Sequence, residues 1–157
     1  PKMALTPTYH VFQMYIPFQG ATHLPTEITT SDYALGEYKV PAVSVSAARD
    51  TSGKLQLALV NLDPNREAVV TTKIEGGSAT QAQGRVLTAK AMDARNTVDV
   101  PEAIYPVKIS AERKGSSLVV RLPPKSVSVL RLQGDARASS RPCRPRRGRH
   151  SRRAVPR

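Results

Sequence analysis

Tryptophan is absent from this sequence, cysteine occurs once, and the aromatic side chains are five Tyr and two Phe in 157 residues. The lone Cys143 excludes an internal disulfide framework and any cysteine-rich zinc site. His10, His23 and His150 are not spaced as ligands on one element, so no metal is expected. No apolar run approaches the ~18 residues of a membrane span. No charged segment followed by an apolar one opens the chain, as a signal peptide would. The first residue is Pro1 rather than Met, and the chain is expected to be a piece of something longer.

The formal charge of +12 is unevenly distributed. Residues 1–133 hold 15 Lys and Arg against 11 Asp and Glu, whereas 134–157 hold nine Arg against Asp135 alone. The body is ordinary and the basic character belongs to a tail. That tail has no leucine or aromatic and Val155 as its only β-branched residue. It buries too little apolar surface to offset its ordering entropy and is expected to be disordered. Arginines invite a nucleic-acid reading through phosphate contacts, but no aromatic is present to stack on a base. All nine basic residues there are Arg, against eight Lys and seven Arg in the body. Two readings stay open: a flexible basic tail, or a GC-rich stretch read out of its proper frame. Nucleic-acid binding ranks below both.

Thr6-Pro7 reads as a helix start, with Thr6 as N-cap and Pro7 at the first helical position. Thr8, Val11, Phe12 and Tyr15 share one face at helical spacing, and Pro17 ends the run. A helix of about ten residues is unstable alone in water and must pack on something. From about residue 38 the period changes to two. Val43, Val45 and Ala47 alternate with Ser44 and Ser46; Asp50 and Gly53 mark a hairpin turn; Leu55, Leu57 and Leu59 share a face. In NLDPN (61–65), Asp63 is placed to bond the backbone ahead and Pro64 pre-sets the next dihedral. EAVVTTKI, GRVLTAKAM, YPVKISAE, SLVVRLPP and SVSVLRL follow as further short strands. Pro123-Pro124 is expected at a sheet edge or corner. Seven or so strands at roughly ten-residue intervals predict a mainly β, jelly-roll-like sandwich preceded by one short helix.

Candidate chemistry is sparse. Glycoside cleavage usually needs two carboxyls. Glu27, Asp32, Glu37, Asp50, Asp63, Glu67, Glu75, Asp93, Asp99, Glu102, Glu112 and Asp135 fall mostly in turns or at strand ends, where solubility and turn chemistry account for them. No nucleophile elbow, P-loop, dinucleotide fingerprint or HExxH motif is present. No catalytic, cofactor-binding or metal residue is assigned, and no cofactor is expected. A packed or surface-bonded role is favoured for His10. Tyr9, Phe12, Tyr15, Phe18, Tyr33 and Tyr38 cluster before residue 39. They are read as anchors onto a neighbouring core rather than as a sugar platform.

Several ordered segments together carry a family resemblance. ALTPTYHVFQMY (4–15), ATHLPTE (21–27), PAVSVSAARDTSGKLQLALVNLDPN (41–65), LTAKAMDARNTVDVPEAIYPV (87–107) and LPPKSVSVLRL (122–132) resemble the C-terminal region of α-L-arabinofuranosidases of glycoside hydrolase family 51. The match spans residues 3–133 and leaves the tail outside. The resemblance implies a division into residues 1–20, the last helix of an absent (β/α)8 barrel with its crossover; 21–133, the C-terminal sandwich; and 134–157, the tail. It implies a parent enzyme that removes terminal arabinofuranosyl groups from arabinan and arabinoxylan with retention. That enzyme would use two glutamates about 5–5.5 Å apart on the barrel, neither of them in this chain, which is expected to be inactive alone. The implied partner is that barrel, the intact enzyme is expected to be a homo-oligomer, and a cytoplasmic setting is favoured over export. The family's sandwich also borrows a strand from the beginning of the parent chain. Without it the helix is expected to lack its barrel partner and one sheet to have an open edge. A stand-alone carbohydrate-binding module is the alternative.

Overall fold

A computed structural model of the protein describes residues 3–75 and 79–134. The sequence positions Gly76, Gly77, Cys143, His150 and the basic tail lie outside the described residues, apart from Gly134. The chain opens with helix α1 (Pro7–Tyr15), followed by a 3₁₀ turn at Ile16–Phe18. Thr6 caps α1 as expected, its hydroxyl accepting from the Tyr9 amide at 3.2 Å. Ten strands follow among the described residues: β1 (Thr22–Leu24), β2 (Asp32–Leu35), β3 (Tyr38–Pro41), β4 (Val43–Arg49), β5 (Leu55–Asn61), β6 (Ala68–Thr72), β7 (Gln81–Leu87), β8 (Val107–Lys114), β9 (Ser117–Leu122) and β10 (Ser126–Gln133).

Eight strands form one hydrogen-bonded path in the order β1-β4-β5-β10-β7-β8-β9-β6. The path folds over at β8, whose residues Val107–Ala111 pair with β7 while Glu112–Lys114 pair with β9. A strand that changes layers in this way makes the corner of a sandwich. Leu57, Leu59, Ala82 and Leu130 of the larger layer meet Leu118, Val120 and Leu122 of the smaller one. The expected alternation holds, since Val43, Val45 and Ala47 all point into this core. The last strand among the described residues, β10, runs between β5 and β7 at the centre of the sheet.

The opposite face of the larger layer is also covered. Ala58, Leu87 and Val129 pack with Met14, Val11, Tyr15 and Phe18 and with Ile104. The helix packs on something, as its length requires, and one expectation is corrected. The helix has a partner within the chain, namely the outer surface of β7 and β10. Its inward arc is Val11, Met14, Tyr15 and Phe18, while Thr8 and Phe12 turn outward. At 100° per residue, positions 11, 14, 15 and 18 form the tighter apolar arc and Phe12 lies beyond its edge.

The NLDPN corner is the most densely hydrogen-bonded turn. Asp63 Oδ1 accepts from the Asn65 and Arg66 amides at 2.8 and 2.9 Å, the forward bonding expected of an Asx turn. The neighbouring residue joins distant segments. Asn61, only 2% exposed, donates from Nδ2 to the carbonyls of Arg66, Leu122 and Pro123 and accepts from the Asp63 amide. It thereby fastens the β5 end to the Pro123-Pro124 corner, which does connect the two layers. Asn61→Ala would strand these groups in a buried site. We expect a loss of about 3 kcal/mol, measured as the shift in the urea unfolding midpoint at unchanged slope.

Candidate interaction surface

The carboxylates do not converge. All those described are exposed except Asp50, which is half-buried, and Asp63, which is buried. Among the described residues no group of three His, Cys, Asp or Glu side chains is placed to hold a metal ion. No described helix is long and apolar enough to cross a membrane. His10 is half-buried on α1 with its ring edge-on to Tyr9, centroids 5.6 Å apart, and His23 is exposed on β1.

Asp50 and Asp63 are turn residues. Asp50 is held down to about 2 by the Ser52 hydroxyl, the Gln56 side chain and the Lys54 amide. Asp63 is lowered first by the Asn65 amide, against an opposing effect of burial, and then by Arg66 through its amide, side chain and charge. Both groups are more acidic folded than unfolded, so the unfolded chain takes up these protons first. Their stabilisation is present above the ordinary carboxylate range and is lost as pH falls through it towards about 2. The thermal midpoint is therefore expected to be flat above about pH 5 and to drop between about pH 4 and 2. Asp50→Asn should flatten part of that drop in a pH series of melts.

Among the described residues, two groups of exposed apolar side chains stand out. On α1, Tyr9, Phe12 and Ile16 form a stripe that Leu5 extends, with Phe12 73% and Ile16 52% exposed. This face is opposite the one packed on the sandwich. Leu5 is fixed at its base by Asn96, whose Nδ2 donates to the carbonyls of Leu5 and Ile104 while its Oδ1 accepts from the Ile104 amide.

The second place is the hairpin of β2 and β3, which carries Tyr33 and Tyr38, two of the expected anchors onto a neighbouring core. Its register pairs Tyr33 with Val40 and Leu35 with Tyr38. Directly paired residues share a face, so the four form one apolar side. Leu35 is 69% and Tyr38 81% exposed. Gly36 takes φ 60° at the first loop position while Glu37 keeps a negative φ, which defines a type II′ turn. The signal was the Gly-Glu pair between two alternating runs. An isolated two-stranded hairpin is marginal in water, so an apolar side of this kind implies something to cover it.

The Ala42 amide donates to Ser31 at the hairpin base, and the Leu62 amide donates to Ala42. Leu62 and Pro7 then line one cavity of ≈ 290 Å³ with Leu87, Met92, Ile104 and Lys125. Contiguous exposed apolar area is uncommon on monomers and marks contact surfaces. Tyr9, Phe12 and Ile16 offer few polar groups to orient a sugar, which separates this stripe from a carbohydrate platform.

Comparison with known proteins agrees with this geometry. Residues 1–126 match the model of the α-L-arabinofuranosidase C-terminal domain. An intracellular exo-α-L-arabinofuranosidase of Bacteroides ovatus is 33% identical over 135 residues, covering 84% of this chain and 26% of that protein. The crystal structure of the family 51 arabinofuranosidase from Xanthomonas axonopodis pv. citri superposes with a TM-score of 0.81 at 43% identity, over 84% of this chain and 27% of that one. The thermostable family 51 enzyme of Thermotoga petrophila shares the fold, with a TM-score of 0.68 at 22% identity over 83% of this chain and 29% of its own. The chain thus spans about a quarter of the relatives it matches. The chain belongs to the α-L-arabinofuranosidase C-terminal domain family.

Proposed function

We propose that this chain is the non-catalytic scaffold domain of a family 51 arabinofuranosidase and acts by docking on a catalytic barrel. The observation behind this reading is the unpartnered stripe Leu5, Tyr9, Phe12 and Ile16 on a helix whose other side belongs to the sandwich core. Such a helix is shared by two domains. Residues 1–20 would seat the barrel, 21–133 would form the sandwich, and 134–157 would stand outside both. The hairpin side of Tyr33, Leu35, Tyr38 and Val40 would make a second contact with the same partner. Release of terminal arabinofuranosyl groups from arabinan or arabinoxylan, and assembly into a homo-oligomer, would belong to the whole enzyme. Its two catalytic carboxyls would sit at the C-terminal ends of barrel strands, and none of the carboxylates here would join them.

Two measurements test this. The purified 157-residue chain is expected to give no turnover of a chromogenic α-L-arabinofuranoside above buffer. It is also expected to bind in trans a Xanthomonas enzyme shortened to exclude its own matching region. Turnover by the chain alone would refute the non-catalytic assignment. Absence of binding by calorimetry would refute the docking role.

A further inference from the structure

We infer that Arg85, Lys108 and Arg131 form a cationic row beside α1 that receives an acidic surface of the partner docked on that helix. The inference rests on the scaffold reading above and adds to it a charged contact separate from the apolar stripe. Arg85 pairs with Val129 across β7 and β10, and Val129 packs with Met14. Directly paired residues share a face, so Arg85 stands on the side of the larger layer that carries α1. Lys108 of β8 lies directly opposite Arg85. Arg131, two residues beyond Val129, shares that face and lies opposite Gln83, which in turn pairs with Ser110. All five side chains are exposed. The row starts where the cover of α1 stops.

Folding alone gives no account of this arrangement. Like charges directly across a ladder oppose pairing, yet Arg85 and Lys108 occupy such a pair. Among the described residues the ion pairs are Arg66 with Asp63 and Arg121 with Glu67, neither of them on β7, β8 or β10. The one carboxylate on those three strands is Glu112, which lies past the corner and pairs with Val119 of β9. Three cations with no carboxylate set among them raise the local potential, and an anionic partner lowers it. The fold places that partner. A body seated on Tyr9, Phe12 and Ile16 lies over the same face of the same layer, so its flank meets β7 and β8 next. Interfaces are commonly built this way, with an apolar centre and a charged rim that steers encounter and fixes orientation. A polysaccharide or nucleic acid could also bring negative charge, but β7, β8 and β10 carry no aromatic ring for a sugar or base to stack on.

Calorimetric titration of the full chain against the shortened Xanthomonas enzyme, at about 0.05 M and about 0.5 M salt, tests the row. Arg85→Glu with Arg131→Glu should weaken docking on the order of tenfold at the lower salt, and clearly less at the higher. Arg85→Glu alone sets opposite charges across the ladder at Lys108. The isolated variant should therefore melt at or above the parent's midpoint while docking more weakly. Better folding with poorer docking separates a contact residue from a structural one. The nine Arg of residues 134–157 are the same in every variant, so differences between variants report the row. If the parent fails to dock, the scaffold reading falls and this inference falls with it. If the parent docks and charge reversal leaves the affinity unchanged at both salts, the scaffold reading stands and the cationic row is no part of the contact. If reversal instead abolishes retention on polygalacturonate or DNA and leaves docking unchanged, the row serves a polyanion and the inference is equally overturned.

Discussion

Gly84→Ala should destabilise the sandwich by about 3 kcal/mol, among the largest effects of any single methyl group added to this chain. Gly84 lies in β7 opposite Leu130 of β10 on one side and Ile109 of β8 on the other. A Cβ there would lie 2.7 Å from Leu130 Cα and closer still to the Val129 carbonyl oxygen. Both obstacles are backbone, so no rotamer change relieves them. Glycine within a strand marks this kind of close approach. Relief would require β10 to move, and β10 also forms the ladder to β5. Gly115 is the internal control. Its φ is 61°, and an added Cβ would meet nothing within 4 Å. Gly115→Ala therefore carries only the left-handed penalty of about 1–2 kcal/mol. In parallel urea titrations Gly84→Ala should lose clearly more than Gly115→Ala. Equal losses would mean that β7 and β10 are not as tightly apposed as described.

The strands most legible in the sequence were those buried on one face. The Val43, Val45, Ala47 alternation placed β4 correctly because that face packs on the main core, whereas Ser44 on the other is exposed. The strand β5 was placed by Leu55, Leu57 and Leu59, yet Gln56 and Ala58 are buried as well. A central strand is covered on both sides, and period two alone does not reveal the second cover. The hairpin of β2 and β3 was missed because its apolar side is not buried within this chain, so it lacked the partner that makes an alternation read as core. The helix was legible in its cap and length but not in its orientation. Val11 and Phe12 both favour burial, and which one turns inward depends on β7 and β10, far along the chain. Asn61 and Asn96 are the other omissions. Asn61 read only as part of a turn and Asn96 only as part of the resembling segment 87–107, whereas each joins segments distant in sequence through its amide.

The same division of α1 into two faces yields the sharpest test of the scaffold role. Phe12→Ser with Ile16→Ser should leave the isolated chain nearly as stable as before, because both side chains are largely in solvent. On docking, each would lose the burial of one large apolar side chain, about 2 kcal/mol apiece. Two such losses weaken association about a thousandfold. Met14→Ala reverses the pattern. Met14 is 7% exposed against Ala58, Leu87 and Val129, and its truncation should cost the isolated chain about 2–3 kcal/mol. Any effect on docking would then follow only from loss of folded protein, and would vanish below the new melting point. Calorimetry with the shortened Xanthomonas enzyme, paired with melts of each variant alone, separates these outcomes. If the double serine variant docks as tightly as the parent, the stripe is not the barrel contact. The hairpin side, tested by Leu35→Ser with Tyr38→Ser, would then have to supply it. If neither pair matters, this domain is not held to its enzyme by its exposed apolar surface.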